Sequence, residues 1–162
     1  MITAGVITLS DKGSRGERVD LSGPEVTRML QEIGIETTGS EVVPDAADVI
    51  EKKLIEFVDD RKLDLVITTG GTGVSPRDVT PEATLRVIDR EIPGMAEAMR
   101  RESMLKTPHA MISRALAGIR KTTLIINLPG SPRGVRENLA VILPALKHAI
   151  EKIKGDPSDC AT

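Results

Sequence analysis

Residues 64–84 read DLVITTGGTGVSPRDVTPEAT, and this stretch decides the fold. DLVITT is short, apolar and β-branched with no polar alternation, which is the pattern of a strand buried on both faces. Gly70, Gly71 and Gly73 follow it at once. Thr80-Pro81-Glu82 then has the form of a helix start: a hydroxyl at the cap, proline inside the first turn, an acid at the positive end. A buried strand that passes through a flexible loop into a helix belongs to a parallel sheet whose faces are covered by helices.

The rest of the chain repeats that alternation. AGVITL (4–9) and IETTGSEVV (35–43) read as strands. MISRALAGI (111–119) and TTLIINL (122–128) read as extended segments joined at Arg120-Lys121, either as a hairpin or as a strand and its feeder. Ser22-Gly23-Pro24-Glu25 repeats the helix-start pattern with Ser22 as the cap, and Gly34 stops that helix. Val49, Ile50, Leu54, Ile55 and Val58 have helical spacing, as do Met95, Ala96, Met99 and Met104 within 93–105. Residues 133–154 read as helical, with Pro144 expected to split them. The result is an α/β domain over 1–154 with a short polar tail, 155–162, expected to fray.

Composition narrows the function. One Phe and no Tyr or Trp leave nothing on which single-stranded nucleic acid could stack, and a net charge of −2 exerts no long-range pull on it. Cys160 is the single cysteine, and only His109 and His148 accompany it, so neither a disulfide nor a structural zinc site is expected. The first apolar run is broken by Ser10-Asp11-Lys12, and no run is long enough to cross a membrane. The expected location is the cytoplasm.

In sheets of this kind ligands bind beyond the carboxyl ends of the strands. Three segments leave strands through small or polar residues there: 10–21, 69–80 and 128–132. Gly70-Gly71-Thr72-Gly73 permits positive φ and close approach of backbone N–H groups to an anion. It is not a P-loop, because no Gly-Lys-Ser/Thr follows, and it lacks the dinucleotide-binding spacing. Asp78 reads equally as a solvated turn acid or as a carboxylate holding Mg²⁺ beside bound phosphates. Asp45, in Pro44-Asp45-Ala46-Ala47-Asp48, reads as a helix cap or as a second rim carboxylate. Ser131-Pro132 starts the last helix and aims its N-terminus at the same rim. Ser113-Arg114 and Arg100-Arg101 could contribute hydroxyl and guanidinium contacts, although such an arginine pair usually forms a solvated face. The histidines have no partner spacing.

TTGGTG followed by RDVTPEAT, with VPD upstream and ISR and NLPGSP downstream, resembles the molybdopterin adenylyltransferase family over nearly the whole chain. That family includes the bacterial MogA and MoaB proteins and the G domains of gephyrin-type molybdenum cofactor enzymes. The resemblance implies a three-layer α/β/α sandwich, a homotrimer, and Mg²⁺-dependent adenylylation of molybdopterin by ATP with release of pyrophosphate. It implies hand-over of the product to a molybdenum-insertion protein. It matches the family's essential acids to Asp45 and Asp78, and since a phosphate dianion needs no general base, their expected task is to hold Mg²⁺ at the reacting phosphates. It matches the nucleotide-bordering residues to Gly70, Gly71, Thr72, Gly73, Asn127, Pro129 and Gly130, and the pterin-binding serines to Ser113 and Ser103. A member of the MoaB branch could instead bind or carry molybdopterin without catalysing transfer.

Overall fold

The computed structural model describes residues 1–158, so Cys160 and the end of the tail lie outside it. The elements in order are β1 (Ile2–Leu9), α1 (Asp11–Ser14, a single turn), α2 (Ser22–Glu32), β2 (Ile35–Val43) and α3 (Ala47–Ile55, widened by a π turn over Glu56–Asp60). Then come β3 (Leu65–Thr69), α4 (Thr80–Val87), β4 (Arg90–Glu91), α5 (Pro93–Met104), a 3₁₀ turn (Pro108–Ile112), β5 (Ala117–Arg120), β6 (Thr123–Leu128) and α6 (Pro132–Ile153).

The sheet order is β2-β1-β3-β6-β5-β4. β1 lies parallel to β2 and β3, and β3 lies parallel to β6. β5 and β4 run antiparallel at the other edge. Neighbouring residues on the central strands feed opposite cores. Val6, Ile67 and Ile126 pack under α2, α5 and α6, together with Met29, Leu30, Met99 and Leu139. Ile7, Val66 and Ile125 pack under α3 and α4, together with Ile50, Leu54, Phe57 and Val87. Burial on both faces is why these strands read as unbroken apolar runs, and it makes the fold the expected α/β/α sandwich.

The last extended pair is a hairpin: β5 and β6 are antiparallel, and because Arg120 pairs with Thr123 the turn is Lys121-Thr122, one residue later than expected. The expected strand from 111 is shorter than its sequence suggested. Thr107 Oγ1 accepts the N–H of His109 at 3.2 Å, and Pro108 opens a 3₁₀ turn that leaves Met111 and Ile112 exposed. Pro144 does not split α6, which is continuous from Pro132 to Ile153. Pro144 sits on the solvent face, and the carbonyl it leaves without a helical donor belongs to exposed Ala140, where water can serve it. Val135, Leu139, Ile142, Leu146 and Ile150 are buried along the opposite face and hold both halves against the sheet.

Two expected helix caps have other roles. Ser22 and Thr80 lie inside the first turns of α2 and α4, and neither hydroxyl caps its helix. Ser22 Oγ donates to the carbonyl of Gly130 at 2.7 Å, and Thr80 Oγ1 donates to the carbonyl of Gly70 at 3.0 Å. Asp20 serves the start of α2 instead: its Oδ1 accepts the N–H groups of Ser22 and Gly23, both at 3.0 Å. Each hydroxyl thus ties a helix to a strand-exit loop. Because β1, β2, β3 and β6 are parallel, all four exits lie on one rim. Ser10 N–H donates to Val43 O at 2.9 Å and Gly70 N–H to Leu128 O at 3.0 Å, so adjacent exits are joined in pairs.

Candidate active site

The three loops anticipated at the rim line one cavity of about 860 Å³. Its wall takes Ser10, Asp11 and Asp20 from the first loop, Gly70, Gly71, Arg77 and Asp78 from the second, and Gly130, Ser131 and Pro132 from the third. Asp45, from the exit of β2, joins them. The cavity straddles β1 and β3, where the chain order reverses, which is the switch point of this fold class.

Asp45 does not cap α3. The cap position is Ala46, and no side chain bonds there. Asp45 is instead locked to Asp11. Asp11 N–H donates to Asp45 Oδ2 at 3.2 Å, and Asp45 N–H donates to Asp11 Oδ1 at 3.0 Å. Arg77 grips the same Asp11 carboxylate through Nε and Nη2 at 2.8–3.0 Å. The Arg77 hydrogen bond holds Asp11 below the usual carboxylate range. Asp45 is pushed the other way, first by burial and then by the charges of Asp11 and Asp78. Asp78 closes its own turn: its N–H donates to Ser75 O at 2.9 Å, and its Oδ2 accepts Ser75 N–H at 3.0 Å. Asp11 had no reading of its own in the sequence, and its only signal is its place directly after a buried strand.

The glycine loop runs between the two rim carboxylates. A Cβ on Gly71 would lie 3.1 Å from Asp45 Oδ1, and one on Gly73 would lie 2.9 Å from Asp78 Oδ2. Gly70 has a purpose other than ligand approach. Its φ is +105°, a side chain would meet the carbonyl of Leu9 at 2.6 Å, and its N–H is taken by Leu128. The N–H groups of Gly71, Thr72 and Gly73 make no hydrogen bond among the described residues, so the donors left for an anion come after Gly70. Arg114 fastens this loop from behind and is not a rim cation. Its N–H donates to Thr72 O at 2.8 Å, its Nε to Gly73 O at 2.7 Å and its Nη2 to Asp78 O at 2.8 Å, and Nη1 pairs with Glu82.

A second cavity of about 500 Å³ opens on the other side of the loop. Ser103 and Ser113 face it, with Thr72, Gly73 and Pro129. Arg100, Lys106 and Arg133 line its wall against the single acid Glu137, His109 borders it, and Ser131 borders both cavities. Arg100 and Arg101 divide: Arg101 is 77% exposed, whereas Arg100 donates to Ala115 O at 2.6 Å and steadies the segment carrying Ser113. Asn127 reaches neither cavity. It is fully buried, its Nδ2 donates to Thr68 and Thr84 hydroxyls at 2.9 and 3.0 Å, and its Oδ1 accepts Leu116 N–H at 3.3 Å. It is a strut beneath the loops, with its side-chain hydrogen bonds taken up inside the protein.

Among the described residues no three His, Cys, Asp or Glu side chains cluster tightly enough to cage a metal. Asp45 and Asp78 offer an open, all-oxygen pair whose mutual repulsion a cation would relieve. That donor set fits Mg²⁺, which typically takes one or two carboxylates and shares the rest of its shell with water and phosphate.

Residues 5–148 match the family model described as "Probable molybdopterin binding domain". The chain is 44% identical to the molybdopterin adenylyltransferase of Helicobacter pylori (strain J99) over 157 residues, which cover 96% of this chain and 89% of that protein. Its fold superposes on the crystal structure of the molybdopterin biosynthesis enzyme MoaB from Thermus thermophilus with a TM-score of 0.90 at 48% identity, covering 98% of this chain and all of that one. The tungsten cofactor synthesizing protein MoaB from Pyrococcus furiosus gives a TM-score of 0.87 at 34% identity, covering 94% and 97% of the two chains.

Proposed function

The chain belongs to the molybdopterin-binding domain family of molybdenum cofactor biosynthesis, and from that premise we propose that it transfers the adenylyl group of ATP to the terminal phosphate of molybdopterin. One observation carries this reading: two cavities of different character meet across a single glycine loop. Such a site suits a reaction that joins two substrates at their phosphates.

The pterin phosphate needs no general base. A phosphate monoester has its second pKa at about 6, so its dianion is already the nucleophile at neutral pH. One of its oxygens forms a bond to the α-phosphorus of ATP. The bond to the bridging oxygen breaks, and that oxygen leaves with pyrophosphate. The obstacle is repulsion between two polyanions, so the protein must position and neutralise them.

Each part of the site has a task in that scheme. Asp45 and Asp78 would hold Mg²⁺, which when bound would offset the charge on the reacting phosphates. The N–H groups of Gly71, Thr72 and Gly73, unpaired among the described residues, would supply fixed dipoles to a phosphate at the loop between the cavities. Gly70, Gly130 and Pro129 shape the loops around them. Ser113 and Ser103, with the neighbouring cations, bind the pterin. The homotrimer, the cytoplasmic location and the hand-over of product to a molybdenum-insertion protein rest on the family resemblance. No helix of the described residues is long and apolar enough to cross a membrane.

Incubating the protein with Mg-ATP and molybdopterin should release pyrophosphate and yield adenylylated molybdopterin. Tight pterin binding without pyrophosphate would instead identify a carrier.

A further inference from the structure

We propose that Arg77 binds the polyphosphate of the nucleotide and that Asp11 orients it; the identity of the ligand rests on the adenylyltransferase reading above. The first cavity is acidic for a site that must hold ATP. Asp11, Asp20, Asp45 and Asp78 line it, against only Lys12, Arg18 and Arg77. Among the described residues the side chains of Lys12 and Arg18 make no hydrogen bond or ion pair with the protein, so nothing fixes where their charges sit. Arg77 alone of the three is held. One edge of its guanidinium, Nε and Nη2, is clamped on Asp11. Nη1 makes no hydrogen bond among the described residues, and the side chain is 64% exposed.

The clamp is part of the site. Asp11 receives Arg77 and Asp45 N–H on one carboxylate, so the guanidinium is referred to the rim carboxylate through a single intermediary. An isolated exposed ion pair contributes little to stability. Its value here is geometric. A guanidinium has a rigid fork of five donors, and fixing one edge aims the other. Arg77 also precedes Asp78 in a turn closed by two hydrogen bonds, so its backbone is set by the residue assigned to the metal. A phosphate oxygen bound by Nη1 would make a charge-assisted hydrogen bond, the strongest kind available to this loop.

The test measures ligand affinity by calorimetry, in the presence of Mg²⁺ and without pterin. Arg77→Ala should fold as the wild type does and weaken both ATP and pyrophosphate by the same factor, about tenfold or more. Arg77→Lys should recover only part of the loss, since an ammonium cannot hold Asp11 and phosphate with two edges. Asp11→Asn should weaken ATP by a smaller factor and have no further effect once Arg77 is alanine. A folded Arg77→Ala protein that binds ATP and pyrophosphate within about twofold of wild type would overturn the proposal. An Asp11→Asn effect that persists undiminished in the Arg77→Ala background would overturn the orienting role. The two readings separate cleanly. Arg77-dependent ATP binding without pyrophosphate release on adding molybdopterin leaves this inference standing and removes adenylyl transfer. Full turnover with unchanged affinity in Arg77→Ala does the reverse.

Discussion

Asp11 and Asp45 hold one another reciprocally, each offering its main-chain N–H to the other's carboxylate at 3.2 and 3.0 Å. The arrangement brings the exits of β1 and β2 together at the price of setting two anions side by side. Arg77 pairs directly with Asp11 but reaches Asp45 only as a more distant charge, too weak to offset its burial.

Asp45 should therefore trade stability for function. Its pKa is raised in the folded protein, above all by burial. The sign follows from linkage: the folded state disfavours the ionised form, so stability is full below the unfolded pKa of about 3.9 and falls as pH rises through the folded value. Asp45→Asn should raise the melting temperature at neutral pH by a few degrees while abolishing turnover. Below about pH 4 the gain should vanish, because the wild-type group is then protonated too. Melting curves across that pH range, with and without Mg²⁺, check this. A neutral-pH melting temperature below wild type would contradict it.

Asp78→Asn keeps the shape of the Ser75–Asp78 turn but removes a rim charge. Adenylyl transfer should fall by several orders of magnitude while molybdopterin affinity stays near wild type, since Ser103 and Ser113 lie across the loop. Equal losses in binding and turnover would mark Asp78 as structural.

Gly71→Val should be destabilising before it is anything else. The position has φ +66°, and a Cβ would stand 2.4 Å from Thr80 Oγ1. A β-branched residue there should cost about 2 kcal/mol or more, a fall of roughly 4–8 °C in melting temperature. Gly73, whose φ is not positive, should tolerate alanine better in the melt, yet its Cβ would crowd Asp78 Oδ2 and lower turnover. Equal melting temperatures for the two variants would refute the distinction.

Asn127→Ala should cost about 2–4 kcal/mol, because it strands the buried Leu116 N–H and two threonine hydroxyls. The Michaelis constant for ATP, measured well below the melting temperature, should move little. A large rise in that constant without loss of stability would restore Asn127 as a ligand contact.

The residues that were read correctly, and those that were not, differ in a physical way. Buried parallel strands are apolar on both faces, and helices between them carry a 3.6-residue stripe, so the layers and the rim loops could be read from order alone. Ser22, Thr80 and Asp45 matched the local chemistry of helix caps, but a cap needs only a nearby hydroxyl or carboxylate. Nothing in a local pattern says that the oxygen has been claimed by a loop distant in sequence. Ser22 bonds Gly130, 108 residues away, and Asp45 bonds Asp11, 34 residues away. Pro144 was overestimated for the same reason, since the strength with which α6 packs on the sheet is not a local property.

By itself the sequence determined the alternation of strand and helix, the mainly parallel sheet, the glycine loop at the end of β3 and the two acids on one rim, because each follows from short-range steric and hydrophobic preferences. Only the tertiary structure decided which polar groups face a cavity and which are taken up within the protein. It turned Asn127 inward, clamped Arg77 on Asp11, fastened the glycine loop with Arg114, and opened a cavity on either side of that loop. Those outcomes depend on contacts closed by the whole fold, where a hydrogen bond to a distant partner outweighs the local preference of the residue that makes it.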